Sequence, residues 1–493
     1  MSTPRLAFGR DGVVIMLVCS TALFITTLDT TILNVALPSL QHAFHAEPSG
    51  LQWTIDGYVL LRVSTLFLAG ATADRFGRRR CFGAGLAMFV VGSLACGLSP
   101  SLGALIGFRC FQGFGSAVLT PSSLAIITNT FTDRQRRALA VGIWSATAAV
   151  SQSAGPVLGG FLVQSFGWRS VFLVNVPIGI AALFGLRKLS ESKAATPRPF
   201  DVPGQGSLGV GLFALTYALI SGPSQGWSSP LIVGLFVASA LCWTGFVVIE
   251  KTSPHPMLPL SYFKNPSLTG SGLLAIFVYL SLGGFLFFNT LYLQEVRGFG
   301  PLHAGLLILP VSAAGLILSP LSGHLTGTRG PRLPAAVAAV AMTASMAVLA
   351  LVLSPSTSIW LLLVGYLLLG IGTGLVNTPI TNGAISGMPP ERAGVAGAVA
   401  TTGRQIGTNL GVALVGAVVF SIASNAALHG GHLGHAMAAG PAGLFVKGMR
   451  DGDWLCAGLS LLGVLVALWA YPRRAEEQRA AAANLVRPAA TRP

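Results

Sequence analysis

The sequence is poor in charged residues. Only 9% of its 493 residues are Asp, Glu, Lys or Arg, whereas about a quarter is typical of a soluble domain. Hydrophobic residues make up 52% of the chain, and the mean hydropathy is +0.71. This composition argues against an ordinary soluble enzyme, a nucleic-acid-binding protein and a disordered protein. We expect most of the chain to lie in a lipid bilayer.

Several chemical signatures are also absent. The six cysteines include no C-x-x-C pair, so neither a disulfide framework nor a zinc site is predicted. There is no G-x-x-x-x-G-K-[ST] motif for ATP phosphates and no H-E-x-x-H metalloprotease motif. His429, His432 and His435 lack a cysteine or carboxylate at zinc spacing, so we interpret them as part of a solvated outer loop, 422–452, rather than a metal site. We therefore expect no metal, no cofactor and no enzymatic activity.

Long apolar runs dominate what is present. A membrane-spanning helix needs about 20 mostly apolar residues, and backbone groups in lipid must bond to one another, which makes helices the natural interpretation. The sequence predicts fourteen such spans. They cover 13–37, 51–73, 81–99, 103–125, 138–163, 168–186, 205–223, 229–250, 268–292, 303–325, 333–353, 358–380, 394–421 and 453–471.

The basic residues indicate how these spans are oriented. With the N-terminus in the cytoplasm, most of the 30 Lys and Arg residues fall in cytoplasmic segments. The outer loops then hold only Arg169, Arg297, Lys447 and Arg450. Cytoplasmic loops are enriched in Lys and Arg, so we expect both termini to be cytoplasmic in a multi-pass protein of the cell membrane.

A weak internal repeat suggests two halves. The glycines and arginine at Gly70, Gly77 and Arg79 align with the glycines and arginine that follow the tenth span. Parallel six-helix halves around a midplane site are a transporter architecture. We therefore predict an all-α membrane protein with two six-helix bundles and two inserted central helices. The predicted units are 1–186, a basic linker with the inserted helices at 187–264, 265–472, and a cytoplasmic tail at 473–493.

Charged residues inside spans are functional hypotheses by default because burying them in lipid is expensive. Asp29, in the first span, is the first candidate. Burial favours its protonated form and a nearby arginine favours its charged form, so an alternating environment can load and release a proton. The alternative is a structural hydrogen bond between helices, since Thr30, Thr31 and Asn34 are close by.

The other intramembrane charges have competing interpretations. Asp56 could serve proton coupling or could be an interfacial carboxylate beside the aromatic anchor Trp53. Arg109 is always charged, so it would pair with an aspartate, unless it reaches the outer interface instead. Arg62 and Arg404 lie near the middle of their spans, where they could face a substrate pathway.

A cytoplasmic corner follows the second span. It contains Gly70, Asp74, Arg75, Gly77, Arg78 and Arg79. The simpler interpretation is the charge bias of cytoplasmic loops. The sharper one is an ion-pair latch between helices that breaks and reforms with conformation.

Six segments together resemble the fourteen-span drug:proton antiporter group of the major facilitator superfamily. The resemblance covers about residues 12 to 472, and it is strong because the segments occur in the right order on the right helices. The segments are Leu28–Pro38, Gln52–Tyr58, Gly70–Arg80, Arg109–Gly115, Gly155–Gly160 and Trp168–Pro177.

The resemblance implies export of amphipathic, often cationic compounds in exchange for protons by alternating access. It assigns Asp29 to coupling or to substrate charge, and Arg109 to coupling. The run Gly155, Pro156, Gly159 and Gly160 resembles an antiporter motif, in which Gly155 and Pro156 would bend the helix during the switch. Arg62 departs from the apolar residue expected there, which favours a neutral or anionic substrate. Asn34 joins Arg62 and Arg404 as a candidate pathway residue.

The resulting hypothesis is a proton-coupled exporter of antibiotics or similar amphipathic molecules. Its expected partners are that substrate, protons and the lipid bilayer, with no nucleic acid. The oligomeric state is left open, with a monomer expected. Two alternatives remain: a dedicated exporter of one endogenous metabolite, and a non-transporting membrane receptor, which would need a signalling domain that the short tails do not provide.

Overall fold

The computed structural model describes residues 9–193, 200–254, 256–388, 393–427 and 442–471. Within these residues, 14 helical segments are long and apolar enough to cross a membrane. The predicted number of spans and the all-α fold class are thereby confirmed. The three histidines of the predicted outer loop and the C-terminal tail lie outside the described residues.

The first six spans comprise seven helices. They are α1 (Arg10–Phe44), α2 (Pro48–Phe76), α3 (Arg78–Gly97), α4 (Leu102–Thr130), α5 (Arg134–Phe166), α6 (Ser170–Leu173) and α7 (Asn175–Gly185). The sixth span is divided between α6 and α7. The break has a local cause, because Pro177 has no N–H to bond the carbonyl of Leu173.

The remaining spans are also helical, and the tenth is divided at a proline. They are α8 (Val202–Gln225), α9 (Pro230–Thr252), α10 (Pro266–Leu291), α11 (Pro301–Leu307), α12 (Leu309–Arg329), α13 (Arg332–Val352), α14 (Ile359–Ser386), α15 (Ala393–Ala427) and α16 (Ala442–Ala470). A π-helical turn, Tyr292–Val296, extends α10. The tenth span divides into α11 and α12 because Pro310 cannot bond the carbonyl of Leu306.

The helices pack as two bundles with two additional helices. In the first bundle, α4 packs on α2 and α3, while α1 packs on α5, α4 and α7. In the second, α10 packs on α15, α16 and α14, and α13 packs on α14 and α16. The inserted helices α8 and α9 pack on each other, and α8 also contacts α2 and α15. The residue boundaries between these units stay a prediction.

The two bundles are joined most closely at one end. We call the end that carries Arg75 and Arg78–Arg80 the basic end, and the other the opposite end. Gln52 Nε2 donates to the Val412 carbonyl at 2.9 Å, and Gln294 Nε2 donates to the Val35 carbonyl at 3.0 Å. Both contacts lie toward the opposite end, which is therefore the closed end of the molecule.

The predicted start of the last span is wrong. The sequence predicts a start at residue 453, after an outer loop, but α16 begins at Ala442. Lys447, Arg450 and Asp453 lie inside this helix and lower its apparent hydropathy. Arg450 Nε donates to the Ala350 carbonyl at 2.8 Å, so the arginine is accommodated by a helical neighbour rather than by a loop. The preceding helix α15 also runs on to Ala427, past the predicted end at 421.

Candidate functional site

The first bundle contains a buried ion pair between Asp29 on α1 and Arg109 on α4. Arg109 Nη1 donates to Asp29 Oδ2 at 2.5 Å, and each residue is 1% exposed. Arg109 therefore pairs with an aspartate and does not reach an outer interface. Its Nε donates to the Thr54 carbonyl at 3.1 Å, which anchors the guanidinium on α2 as well.

Neutral side chains complete the coordination of this carboxylate. Gln112 Nε2 donates to Asp29 Oδ1 at 3.0 Å, and Asn175 Nδ2 donates to the same oxygen at 3.3 Å. Both amides also donate to Ser93 Oγ, at 2.7 and 3.2 Å. Because Gln112 Oε1 accepts from Arg109 at 2.7 Å, the five side chains form one network linking α1, α3, α4 and α7.

Aromatic rings surround the arginine of this network. The guanidinium carbon of Arg109 lies 4.2 Å from the ring centroid of Tyr58 and 5.8 Å from that of Phe172. Such cation–π contacts stabilise a desolvated arginine. The hydroxyl groups of Thr30 and Thr31, which were candidates for hydrogen bonds to Asp29, do not belong to this network. They donate to backbone carbonyls of their own helix.

A cavity lies between the two bundles. Its polar lining includes Gln152 and Ser153 of the first bundle and Ser312, Thr373 and Asn377 of the second. Its apolar lining includes Pro156, Leu282, Leu286, Ile308, Val311 and Leu316. Such a mixture of apolar walls and a few polar groups is typical of small-molecule sites.

The Asp29 network lies beside this cavity rather than in it. Thr31, two residues along α1 from Asp29, lines the cavity. Asn34 is not among the lining residues, and its Nδ2 donates to the Thr30 carbonyl at 3.0 Å. Helix α1 is therefore the element that connects the buried ion pair with the space between the bundles.

The two remaining intramembrane arginines have neutral partners. Arg404 Nη1 donates to Asn377 Oδ1 and to Thr381 Oγ1, both at 3.3 Å, so it reaches the cavity edge through Asn377. Arg62 Nη2 donates to Thr120 Oγ1 at 3.2 Å. Among the described residues, no carboxylate forms an ion pair with either arginine.

Asp56 lies at a junction between the bundles. It is 0% exposed, so the interpretation as an interfacial carboxylate is wrong. Asn409 of α15 is close enough to interact with its carboxyl group, although no hydrogen bond joins the two within the described residues. Asn409 Oδ1 instead accepts from Thr216 of the inserted helix α8 at 2.9 Å. Asp56 therefore faces the contact between α2, α15 and α8.

The predicted antiporter motif of α5 lies at the seam between the bundles. A Cβ atom added at Gly155 or Gly159 would collide with Thr31 or Ile32 of α1. On the other face, a Cβ at Gly160 would meet the backbone of Pro301. Gly305 of α11 likewise packs directly on the Pro156 carbonyl. These close approaches explain why small residues are needed on both faces of α5.

The corner at the basic end contains an ion pair that connects α2 to α3. Arg78 Nη2 lies 2.9 Å from Asp74 Oδ1. Sequence reasoning missed a further carboxylate here: Glu191 accepts hydrogen bonds from the backbone N–H groups of Arg79 and Arg80, at 3.0 and 3.2 Å. A carboxylate at the first turn of α3 satisfies unpaired N–H groups and favours the helix dipole.

The other residues of that corner have structural environments of their own. Arg75 lies over the ring of Phe200, with its guanidinium carbon 5.4 Å from the centroid. Gly77 has φ = 114°, a conformation that suits glycine, and Glu191 occupies the space that a side chain would need. Gly70 has open space around it. Arg79 contributes its backbone N–H to the contact with Glu191.

Sequence reasoning also missed a polar cluster in the second bundle. Asp453 of α16 lies beside Asn289 of α10, and Tyr366 of α14 donates its hydroxyl to Asn289 Oδ1 at 2.5 Å. Asp453 was overlooked because the predicted span began at that residue. The sequence does contain a signal for this cluster. Tyr366 stands four residues before Gly370, and in the matching helix of the first half Arg109 stands four residues before Gly113.

Comparisons with known proteins agree with this architecture. The family model described as "Major Facilitator Superfamily" matches residues 19–412. "Multidrug resistance protein Stp" of Mycobacterium tuberculosis is 39% identical over 83% of this chain and 76% of its own length. "Tetracenomycin C resistance and export protein" of Streptomyces glaucescens is 36% identical over 82% of this chain and 76% of its own.

A solved structure shares the fold. It is the crystal structure of a bacterial homolog to the human lysosomal transporter Spinster, with a TM-score of 0.65 and 18% sequence identity. The match covers 92% of this chain and 96% of that one. The cavity between the bundles and the adjacent ion pair therefore lie in the same fold as that homolog.

Proposed function

Because the chain belongs to the major facilitator superfamily, we propose that it exports antibiotics or similar amphipathic small molecules in exchange for protons. The family and the fold point to a transporter rather than an enzyme. The names of two relatives, a multidrug resistance protein and a tetracenomycin C resistance and export protein, support drug export. The substrate would bind in the cavity between the bundles.

The Asp29–Arg109 pair carries the proposal of proton coupling. Protonation of Asp29 would neutralise a carboxylate that accepts hydrogen bonds from Arg109, Gln112 and Asn175. A neutral carboxyl group is a weaker acceptor than a carboxylate. Proton binding would thus loosen α1 from α4 and α7. Proton release would restore the contacts, which gives two states with different packing of α1.

The switch between these states is assigned to the seam at α5. The glycines Gly155, Gly159 and Gly160 let α5 approach α1 on one face and α11 on the other. Opening at the opposite end requires α5 and α11 to separate, and closure at the basic end requires the halves to rock together. Rocking of one bundle against the other around a fixed site is how such transporters alternate access.

The membrane orientation forms part of the proposal. The basic end would face the cytoplasm, with both termini on that side of the plasma membrane, because cytoplasmic loops carry the excess of Lys and Arg. The protein would act as a monomer in the lipid bilayer. The units 1–186, 187–264, 265–472 and 473–493 remain our proposed division, and the corner between Asp74 and Arg78 would act as the latch at the cytoplasmic side.

A narrower substrate range is the second candidate function. Arg404 at the cavity edge and Arg62 on α2 have only neutral hydrogen-bond partners among the described residues. Unneutralised guanidinium groups repel cations and attract carboxylates or phenolates. This observation favours a dedicated exporter of a neutral or anionic metabolite over an exporter of many cationic drugs.

The test is efflux of a panel of fluorescent amphipathic dyes and acidic compounds from loaded cells, with and without a proton uncoupler. We expect uncoupler-sensitive efflux by the wild type and none by Asp29→Asn at equal membrane abundance. Asp11→Asn is the matched control, since Asp11 forms only an exposed ion pair with Lys188. Normal efflux by Asp29→Asn would remove Asp29 from coupling, and binding without flux would favour a receptor.

A further inference from the structure

The second bundle contains a buried carboxylate that the proposed coupling mechanism does not use. Asp453 of α16 is 8% exposed. Within the described part of the chain, no hydrogen bond or ion pair reaches its carboxyl group. It lines a small cavity of about 10 Å³ together with Asn289, and the remaining lining is largely apolar, including Phe285, Leu349 and Met449.

Asn289 is an unpaired donor facing the same cavity. Its side chain is 2% exposed, and its Nδ2 atom has no hydrogen-bond partner within the described residues, while its Oδ1 accepts from Tyr366. A cavity of this size holds about one water molecule. An amide N–H and a carboxyl group that share one such cavity can be bridged by that water. The two unpartnered groups therefore form one polar site.

This site is the counterpart of the Asp29 network in the other half. Tyr366 bonds Asn289 on the first helix of the second bundle, as Arg109 bonds Asp29 on the first helix of the first bundle. The ion pair is replaced by a neutral pair. The acidic group is instead supplied by the last helix of the bundle, α16, which corresponds to the sixth span.

Among the residues that the structure describes, the groups around Asp453 include no cation that could neutralise it. Tyr366 of α14 and Cys456 of α16 are neutral. Arg297, at the end of α10, donates to the Tyr292 hydroxyl and the Thr357 carbonyl, at 3.1 and 2.5 Å. Arg450, on α16 itself, donates to the Ala350 carbonyl. Leu349 of α13 and Leu353, which directly follows this helix, also line the cavity and carry no charge.

We propose that Asp453, with Asn289 and Tyr366, forms a second proton-binding site in the transporter. Burying an ionised carboxylate that has no partner in a largely apolar cavity is energetically unfavourable, so the carboxyl group of Asp453 binds a proton. Asp453 lies in the part of α16 nearer the opposite end, which is closed in this structure. The site therefore exchanges its proton when that end opens. This inference extends the proposed function by adding a second proton to the exchange.

The first test does not depend on transport. Infrared spectra of the purified protein are recorded across a pH titration, and the carboxylic-acid C=O band is compared between wild type and Asp453→Asn. We expect one component of the band to be lost in the variant and recovered, at a shifted frequency, in Asp453→Glu. Asp56→Asn and Asp29→Asn, measured in parallel, identify any components that belong to the other two buried aspartates. An unchanged band in Asp453→Asn would overturn the proposal.

A second variant tests the proposal even if Asp453→Asn does not fold. Asn289→Leu removes the amide beside the carboxyl group and leaves Asp453 in place, so the frequency of the Asp453 component should shift. No shift would contradict the assigned site.

The stoichiometry of exchange is then measured in proteoliposomes from the membrane potential and pH gradient that reverse substrate flux. We expect Asp453→Asn to exchange one proton fewer per substrate and Asp29→Asn to lose coupling. An unchanged ratio in Asp453→Asn would refute a role in exchange. Absence of proton-driven flux in the wild type would refute the proposed function and leave the infrared result standing.

Discussion

The ion pair between Asp29 and Arg109 allows a quantitative prediction. Removing one partner of a buried ion pair destabilises a protein by about 3–5 kcal/mol, because the other charge is left unpaired. After Asp29→Asn, Arg109 keeps Gln112 Oε1 and the Thr54 carbonyl as acceptors. We therefore expect a loss near the lower limit, about 3 kcal/mol.

The double variant separates charge pairing from packing. Asp29→Asn combined with Arg109→Gln joins two neutral amides and leaves no buried charge unpaired. We expect it to be less destabilised than the sum of the two single variants, with a coupling energy of about 2 kcal/mol. All three variants should lose proton-driven transport, so stability and activity should separate in the double variant.

The assay is equilibrium unfolding of the purified protein in detergent micelles, after membrane insertion has been verified. Asp11→Asn again serves as the control, because an exposed ion pair contributes at most about 1 kcal/mol. If the double variant is as destabilised as the sum of its single variants, the coupling energy is zero. The Asp29–Arg109 contact would then not be an energetically coupled pair, and the argument for a charge-driven switch of α1 would fail.

Two further predictions concern the seam and the cavity. Gly160→Ala places a methyl group against the backbone of Pro301, so we expect efflux to fall about tenfold or more at equal membrane abundance, about 1.4 kcal/mol or more. Gly142→Ala on the same helix, where a Cβ meets open space, should transport normally, and equal loss in both variants would contradict the role of the seam. Arg404→Gln should weaken binding of carboxylate-bearing substrates about 10- to 100-fold, the equivalent of a charged hydrogen bond of about 1.5–3 kcal/mol. Binding of cationic dyes should be unchanged. Arg329→Gln, at the basic end, is the control. Equal weakening of binding for both substrate classes would refute the charge argument.

Hydropathy and charge bias in the sequence were sufficient for the number and order of the spans. They failed where a helix contains charges that the fold accommodates. The segment from Ala442 to Gly452 includes Lys447 and Arg450, and hydropathy predicts a loop there, although Arg450 bonds a carbonyl of the neighbouring α13. Such a contact between distant parts of the chain cannot be detected by a local measure of hydropathy. The same error hid Asp453 at the edge of a predicted span.

The charged residues of the candidate site could be predicted from the sequence, but most of the contacts between its side chains could not. Intramembrane charges are rare, so Asp29 and Arg109 could be selected from the sequence, and the structure places them in contact. The contributions of Gln112 and Asn175 were not predicted, because polar uncharged residues are common in membrane helices and depth alone does not show which of them face a carboxylate. Their roles in coupling stay a prediction.

The position of α1 suggests how proton and substrate could affect each other without touching. Asp29 faces the buried network, whereas Thr31, two residues further along, lines the cavity between the bundles. Gly155 of α5 packs directly on Thr31. Under the proposed mechanism, a substrate that displaces Thr31 would move α1 against α5, and a proton that neutralises Asp29 would free α1 from α4 and α7. Both ligands would then act on the same helix, so each would change the free energy of binding the other, as thermodynamic linkage requires.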